Sequence, residues 1–431
     1  MADPFSANIY EVFLRAYAEK KPILTLIKDL PRIKELGMNV IWLMPVHPVG
    51  EKARKGKTGS PYAIKDYYAI DPALGKREHL KKLVESAHSL EMKVIMDAVL
   101  NHTARDSLLV SRNPEFFKQK KGDFYTVNPH WSDVYDLDYS VSGTREYIKK
   151  MMSFWVKNFD IDGFRCDVAE LVPMDFWAEL REELEKLKPG LLFLAEGDKP
   201  FLHPVFDISY DGNSYKILRQ VLAKKKKAIS LARELISQIH IFPHNFVKLR
   251  FLENHDQERI AGLVSDLEEL EKLIAFFYLM RGAVLVYNGQ ELGLKEKPDI
   301  FNPYLIPWEK GNQKVKAIYK KYLTMRNSNE LFQKGEMEII SPIMPPSDDL
   351  VVYIRRDEKE WALVAVNFGE KTTELRLAID GRLPENLPFV GQLVGGKKAI
   401  FPLKGGRLFI PVEKLVILRG PARFEVGAST R

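Results

Sequence analysis

The sequence predicts an α/β protein: a closed (β/α)8 barrel, a small subdomain inserted after its third strand, and a C-terminal all-β sandwich domain. Short β-branched or apolar runs alternate with longer amphipathic stretches up to about residue 330, as a parallel sheet requires. One connection among them is unusually long, and the pattern changes beyond residue 330. The 431 residues have room for two or three domains. An open doubly wound sheet is the alternative that composition alone does not exclude.

Eight short apolar runs are the candidate strands of the barrel, and eight βα units fit the TIM type of closed barrel. The candidate strands are residues 9–15, 39–45, 93–100, 163–168, 192–196, 205–209, 248–254 and 283–287. Amphipathic spacing predicts helices between them. The candidate helices are residues 23–36, 77–90, 145–159, 176–187, 214–239 and 267–280.

The connection after the third strand shows no strong helix and is rich in Pro, Asn, Asp and aromatic residues. A connection of this length is usually functional or forms a small subdomain. Beyond residue 330, the runs VVYIRR, WALVAVNF, TELRLAI and LVILRG predict an antiparallel sandwich. The predicted division is therefore 1–101 for the first part of the barrel, 102–144 for the subdomain, 145–330 for the rest of the barrel and 331–431 for the β domain.

Composition excludes several classes of protein. Hydrophobic residues at 45% and charged residues at 29% exclude a disordered chain. The net charge of +7 is spread over the chain, and the lysine run 224–227 is interpreted as a solvated helix face, so no nucleic-acid partner is predicted. Cys166 stands alone, which excludes an intramolecular disulfide and a zinc site built from cysteines.

The sequence favours a soluble cytoplasmic protein. The first residues show no basic segment followed by an apolar core, and no window of about 18 apolar residues is present, so no membrane partner is expected. Sparse glutamine together with high charge is typical of proteins from thermophilic sources. The oligomeric state is not readable from the sequence.

Three acidic residues stand at the ends of separate predicted strands: Asp167, Glu196 and Asp256. Catalytic groups of such barrels lie at these strand ends. Arg165 and Asp167 share one side of a strand, so the guanidinium would favour an ionised carboxylate, as a nucleophile requires. Glu196 follows an apolar run that would favour a protonated carboxyl, as a general acid requires. Two carboxyls in such opposed states are what glycoside hydrolysis needs.

The structural alternatives are a helix cap or a salt bridge for each single acid, and a packed thiol for Cys166, which faces away from its neighbours in the strand. The joint occurrence of three acids at three strand ends favours a catalytic site.

This set, together with its surroundings, resembles the ordered motifs of the α-amylase family, glycoside hydrolase family 13. The matching segments are DAVLNH, GFRCDVA, FLAEG and FLENHD, with YDLD in the insertion, NIYEVFLRAY at the first strand and VYNGQE at the last. The resemblance covers essentially the whole chain.

The resemblance implies roles for the individual residues. Asp167 would be the nucleophile of a retaining mechanism, Glu196 the general acid and base, and Asp256 a stabiliser of the transition state. Substrate contacts are implied for Tyr62, His102, Arg165, Asn254 and His255. Asp97 and Asn101 would brace the site from the third strand.

The resemblance implies no cofactor for the chemistry. It allows a structural calcium ion at Asn101 and Asp138, although such an ion prefers six or more oxygen ligands. The alternative is that Asn101 and Asp138 only fix the insertion by hydrogen bonds.

The expected function is hydrolysis of α-1,4-glucosidic bonds in maltooligosaccharides, starch or glycogen-type glucans, with the α-glucan as the partner. An α-glucan transglycosylase, such as a 4-α-glucanotransferase or a trehalose synthase, would use the same residues. A non-catalytic glucan-binding protein is a more remote alternative, because such relatives usually lose one of the acids. The loop 46–60 is either a mobile rim over the site or a merely solvated loop.

Overall fold

The computed structural model describes residues 3–340, 347–378, 389–393, 397–404 and 407–421. Eight parallel strands close into a barrel, in which the first strand pairs with both the second and the eighth. The strands are Asn8–Val12, Val40–Leu43, Lys93–Ala98, Gly163–Cys166, Leu192–Ala195, Ile208–Tyr210, Lys248–Arg250 and Ala283–Tyr287. The closed barrel is therefore confirmed, and the open sheet is wrong.

Alternation along each strand separates the inside of the barrel from its outside. Ile9, Trp42 and Leu194 belong to the buried cluster that fills the interior, whereas Tyr10 and Phe193 pack outward in the cluster formed with the helices. Cys166 also belongs to the outer cluster and is fully buried, which confirms the packed thiol. The side chains that continue the inward series at the strand ends are therefore free to form a site.

Helices cover the outside of the barrel. The longer ones are Pro22–Leu36, Arg77–Ser89, Ser142–Phe159, Met174–Leu187, Gly212–Leu222, Ile229–Ile241, Leu267–Tyr278 and Gln313–Asn327. The short ones are Leu14–Tyr17, Leu108–Arg112 and Glu330–Gln333. Among the described helices, none is long and apolar enough to cross a membrane.

The prediction of one helix over 214–239 is wrong, because two helices occupy this segment and the lysine run lies in the turn between them. Lys224 has a left-handed backbone with φ of 57°, which ends the first helix. Its ammonium pairs with Glu370, and that of Lys227 lies 3.6 Å from Asp349. The run is thus a solvated turn beside the C-terminal sheets and not a helix face.

The insertion contains two small antiparallel pairs and no long helix. His102–Ala104 pairs with Val134–Asp136, and Gln119–Lys120 pairs with Asp123–Phe124. The first pair begins directly after the third barrel strand, so it carries His102 from the barrel into the insertion. The exact division of the chain into domains stays a prediction.

The C-terminal part consists of two antiparallel sheets. The six-stranded sheet contains Glu336–Ile339, Leu350–Arg356, Glu360–Asn367, Leu415–Pro421, Phe389–Leu393 and Lys398–Phe401. The three-stranded sheet contains Thr373–Ala378, Arg407–Val412 and Leu403–Lys404. Side chains of both sheets, such as Leu363 and Leu375, share one core, as expected of a sandwich. The outer face of the larger sheet packs on the barrel through Tyr353, whose hydroxyl donates to the carbonyl of Phe276.

Candidate active site

A buried arginine joins three carboxyl groups at the carboxyl end of the barrel. Nη1 of Arg165 donates to Oδ1 of Asp97 at 2.9 Å and to Oδ1 of Asp167 at 2.7 Å. Nη2 lies 2.9 Å from Oε2 of Glu196. The strand register explains this meeting, because Asp97 and Leu194 pair with Arg165 from the two neighbouring strands. We call Asp97, Arg165, Asp167 and Glu196 the arginine cluster.

Burial dominates the electrostatics of the arginine cluster. Burial raises the pKa of Asp97 to about 6, against the opposing effect of Arg165. Burial and the nearby charge of Glu196 raise the pKa of Asp167 well above its usual range, and Arg165 only partly offsets them. The expected effect of Arg165, which favours an ionised Asp167, is therefore present but is outweighed by burial and Glu196. Asp97 and Asp167 therefore retain a proton at a higher pH than isolated carboxyls do.

The Glu196 carboxyl lies just beyond the end of the fifth strand. Its Oε2 accepts a hydrogen bond from the backbone N–H of Val168 at 2.8 Å, and its side chain is 25% exposed. The prediction of apolar surroundings is wrong, since the apolar run 191–195 forms the barrel wall while the carboxyl projects among polar groups. The position of Glu196 next to Asp167 is as the strand-end argument expects.

A histidine and a tyrosine form the opposite wall of the site. Nδ1 of His255 donates to Oε1 of Glu11 at 2.5 Å, and its Nε2 lies 2.8 Å from the hydroxyl of Tyr62. The hydroxyl of Tyr62 donates in turn to Oδ2 of Asp97 at 3.2 Å, and its ring stacks on the imidazole. Burial lowers the pKa of His255, but the carboxylates of Asp256 and Glu11 outweigh it and raise the pKa to about 9. His255 is therefore a cation at neutral pH.

These groups surround a cavity of about 220 Å³. Its lining includes most of the side chains selected from the sequence: Tyr62, His102, Asp167, Glu196, His255 and Asp256. Asp256 is the most open of the three acids, with 49% of its side chain exposed, and its Oδ2 lies 3.4 Å from Nε2 of His255. The carboxyls of Asp167 and Glu196 are thus adjacent on one wall of the cavity, and the carboxylate of Asp256 lies on the other.

Comparison with known proteins identifies the family. The family model described as the alpha amylase catalytic domain matches residues 24–135 and 116–333. The chain belongs to the α-amylase family. A maltogenic alpha-amylase, AmyB from Thermotoga neapolitana, described as noncanonic, is 39% identical with a TM-score of 0.90, over 97% of this chain and 99% of its own. An alpha-amylase from Lactobacillus plantarum is 30% identical with a TM-score of 0.87, over 97% of this chain and 100% of its own.

Curated relatives of this α-amylase family chain are longer than the chain itself. The maltogenic alpha-amylase of Bacillus acidopullulyticus is 25% identical over 394 residues, which are 82% of this chain and 64% of the relative. Alpha-amylase 2 of Dictyoglomus thermophilum is 26% identical over 380 residues, which are 80% of this chain and 64% of the relative. The chain thus spans just under two thirds of the length of these relatives.

His102 of this amylase-family site differs from His255 in its charge. Burial lowers the pKa of His102 to about 4, so its imidazole is neutral. The amide of Asn101 donates to its Nδ1 at 3.2 Å, which leaves the proton on Nε2. Nε2 lies 3.9 Å from Oδ2 of Asp167. His102 can therefore donate a hydrogen bond at the cavity without adding a charge.

Two of the residues expected to contact substrate lie beneath the cavity. Arg165 is fully buried in the arginine cluster, and Asn254 is buried with its Oδ1 accepting from the backbone N–H of Asp256 at 3.0 Å. Neither lines the cavity. Their positions fit a role in orienting the acids, and direct substrate contact by either of them stays a prediction.

The calcium site that the resemblance allows at Asn101 and Asp138 stays a prediction. Oδ1 of Asp138 accepts from the backbone N–H and the hydroxyl of Ser140, and the Asn101 amide is directed at His102. Among the side chains that the structure describes, no group of three or more His, Cys, Asp or Glu is placed to hold a metal ion. The contacts of Asn101 and Asp138 agree with the hydrogen-bonding alternative.

Sequence reasoning missed Glu11 of the first strand. Glu11 is fully buried, and it follows the inward-facing Ile9 by two residues, so its carboxyl points into the barrel toward His255. A charged residue at an inward position of an apolar strand is a signal that could have found it. Trp42 was missed as well, and its indole N–H donates to Oδ2 of Asp97 at 3.2 Å.

Replacing Glu11 by Gln is expected to change the pH dependence of the free energy of unfolding. The raised pKa of His255 means that its protonation stabilises the fold below its unfolded value of about 6.5. That stabilisation is lost as the pH rises through about 9. The variant lacks one of the two carboxylates that raise this pKa, while Asp256 remains, so its loss of stability should be larger near pH 6 than near pH 9.5, by about 1–3 kcal/mol.

Urea unfolding of both proteins at several pH values measures this difference. Glu253→Gln is the matched control, because the partner of Glu253 is Arg259, which stays charged over the whole window. The penalty in that control should not vary with pH in the same way. A pH-independent penalty in Glu11→Gln would contradict the link between Glu11 and the charge of His255.

Proposed function

We propose that this chain is a retaining glycoside hydrolase that cleaves α-1,4-glucosidic bonds in maltooligosaccharides and related α-glucans. The observation that carries the proposal is that Asp167 and Glu196, which both line the cavity, contact the same buried guanidinium. Retaining enzymes hold their two carboxyls about 5–5.5 Å apart, whereas inverting enzymes leave room for a water between them. Two carboxyls gathered by one arginine side chain fit the first geometry.

In the proposed reaction, Asp167 attacks the anomeric carbon and Glu196 protonates the glycosidic oxygen. Arg165 occupies Oδ1 of Asp167, so Oδ2 is the oxygen left for attack. The result is a covalent glycosyl-enzyme, and Glu196, now ionised, removes a proton from the incoming water. The proposed step thus starts with Asp167 ionised and Glu196 protonated.

The groups on the cavity wall opposite the arginine cluster would stabilise the positively charged transition state. Asp256 presents a carboxylate to the cavity, and the cationic imidazole of His255 lies beside it, with Nε2 3.4 Å from Oδ2 of Asp256. His102 offers a neutral N–H donor near Asp167, and Tyr62 offers a ring at the cavity surface. Such preorganised groups act on charge that develops only in the transition state.

Relatives support the substrate class and the location. Two of them are named Cyclomaltodextrinase, from Geobacillus thermopakistaniensis, and Intracellular maltogenic amylase, from Bacillus subtilis. We accordingly propose short α-glucans inside the cell as substrates. A purely glucan-binding role finds less support, because Asp167, Glu196 and Asp256 are all present at the cavity.

Digestion of maltotriose tests the proposal. The expected products are maltose and glucose, and NMR at early times should show the newly formed reducing end as the α-anomer, because the mechanism retains configuration. Longer oligosaccharides or trehalose as main products would instead indicate a transglycosylase. Early release of the β-anomer would contradict the nucleophilic role of Asp167. A preparation of Asp167→Asn purified in the same way controls for contaminating activity.

A further inference from the structure

Two loops meet over the catalytic cavity. The backbone N–H of Thr58, in the loop after the second strand, donates to the carbonyl of Phe301 at 2.9 Å. The backbone N–H of Lys57 donates to Oδ1 of Asn302 at 3.0 Å. Phe301 and Asn302 belong to the segment after the eighth strand. We call residues 55–60 together with residues 299–302 the bridge.

The bridge is tied to the rest of the molecule on both of its sides. Lys55 donates to the carbonyl of His130 at 2.9 Å and lies 3.1 Å from Oδ1 of Asp133, both in the insertion. Arg15 donates to the carbonyls of Thr58 and Gly59, at 3.3 and 3.2 Å. These contacts fix the loop to the insertion and to Arg15, so it is neither merely solvated nor a freely mobile rim.

The segment after the eighth strand is equally well held. Asp299 accepts hydrogen bonds from the backbone N–H groups of Phe301 and Asn302, at 2.8 and 3.1 Å, and from the amide of Asn302 at 2.8 Å. The carboxylate thus fixes the turn that presents the Phe301 carbonyl and the Asn302 amide oxygen to the other loop. Both halves of the bridge are therefore ordered by contacts of their own.

A glycine sets the distance between the two loops. Gly56 has φ of +62°, and a Cβ at this position would stand 2.4 Å from the carbonyl oxygen of Phe301. Only a residue without a side chain permits this approach of the two backbones. Any larger residue at position 56 must push the two halves of the bridge apart.

The bridge separates two cavities. Lys55, Ser60 and Phe301 line the catalytic cavity of about 220 Å³. Lys57, Thr58 and Asn302 line a second cavity of about 580 Å³. The catalytic cavity alone is smaller than the ~300–1,000 Å³ of typical ligand pockets. A longer substrate that ran through both cavities would have to pass through the bridge.

The topology shows which end of a substrate meets the bridge. In the eight-stranded barrel the first strand stands opposite the fifth, which Glu196 follows. The bridge joins the loops after the second and eighth strands, which are the neighbours of the first strand. Under the proposed function, Glu196 protonates the leaving group, so the leaving part of the substrate lies on the fifth-strand side. The part that is transferred to Asp167 points toward the bridge.

We propose that the bridge blocks the non-reducing end of the bound glucan and thereby restricts cleavage to the release of short units from that end. This inference rests on the proposed function. The transferred unit is a glucosyl or maltosyl group, since the cavity ends at the bridge. Chains with a bulky group on the non-reducing end would not fit, while the leaving side can accept chains of any length.

The test compares two forms of p-nitrophenyl maltoheptaoside, one with a free non-reducing end and one with that end blocked by an ethylidene group. The ratio of kcat/KM for the blocked and free forms is the readout. The protein is expected to favour the free form by about tenfold or more, because a steric clash rejects the blocked form. Gly56→Ala is expected to raise the ratio toward one, by opening the bridge.

Gly122→Ala is the matched control. Gly122 also has a positive φ, of +88°, but a Cβ there meets nothing within 4 Å, so this variant carries the same backbone strain without moving the bridge. Asn302→Ala, which removes the acceptor for Lys57, is a second way to open the bridge should Gly56→Ala fold poorly. Equal cleavage of both forms by the unmodified protein, or an unchanged ratio in both bridge variants, would overturn the inference. Cleavage of neither form would instead overturn the proposed function.

Discussion

Asp167→Asn is expected to lower kcat/KM for maltooligosaccharides by several orders of magnitude, roughly 10³–10⁶-fold. An amide oxygen cannot form the glycosyl-enzyme that the retaining mechanism requires. The change keeps the shape of the side chain, and the amide oxygen can still accept the hydrogen bond that Nη1 of Arg165 gives to Asp167. The loss should therefore come from the chemistry and not from the fold, and it is measured by steady-state kinetics on maltotriose.

Thermal melting shows whether the lower activity of Asp167→Asn comes from lost chemistry or from a less stable fold. Because the pKa of Asp167 is raised in the folded protein, its ionisation weakens the fold, and the stability present at low pH is lost as the pH rises through the raised value. An uncharged Asn at this position should consequently melt no lower than the unmodified protein at neutral pH. Asp175→Asn, at an exposed carboxylate paired with Arg145, is the control that should keep full activity. Near-normal hydrolysis by Asp167→Asn would refute the assignment.

The barrel was predictable because its sequence pattern repeats. Each strand run is short and apolar, each helix run is amphipathic, and eight βα units fit a closed barrel, although composition alone left an open sheet as the alternative. The strand-end acids were predictable for the same reason, since residues two apart in a strand share a face. Asp97, Arg165 and Asp167 therefore came together as their positions in the strands require.

The break in the helix after the sixth strand was not predictable from local pattern. Residues 223–228 are alanines and lysines, which are good helix formers, and no glycine or proline marks the turn. The left-handed conformation of Lys224 ends the first helix and lets the chain turn toward the C-terminal sheets, where Glu370 and Asp349 receive the lysines. Tertiary contacts with the C-terminal sheets thus outweighed the helix propensity of residues 223–228.

Contacts between strands that are far apart in the sequence were also not predictable from it. Glu11 and His255 are 244 positions apart, and their 2.5 Å contact depends on the closure of the first strand against the eighth. The surroundings of the Glu196 carboxyl were misjudged for a related reason. The apolar run before it forms the wall of the barrel, whereas the surroundings of the carboxyl are set by Arg165 of the neighbouring strand and by Val168, which follows that strand.

Glu196→Gln is expected to lower kcat on maltooligosaccharides by roughly 10²–10⁴-fold, the typical contribution of general acid–base catalysis. The loss should be much smaller for the first step with a substrate whose leaving group needs no proton, such as an α-maltosyl fluoride. With that substrate Asp167 can still attack, but no base then activates the water. The glycosyl-enzyme should therefore accumulate, and mass spectrometry should find the added sugar on the peptide that contains Asp167.

The two acid variants are thus expected to differ with the activated substrate, although both should be nearly inactive on maltotriose. Asp167→Asn should form no adduct, because it lacks the attacking carboxylate. Added azide should restore turnover of the fluoride by Glu196→Gln, since a small anion enters the 25%-exposed position of the missing carboxylate and attacks the intermediate without a base. An equal loss on both substrates, without an adduct and without rescue by azide, would mean that Glu196 orients Arg165 and Val168 and transfers no proton.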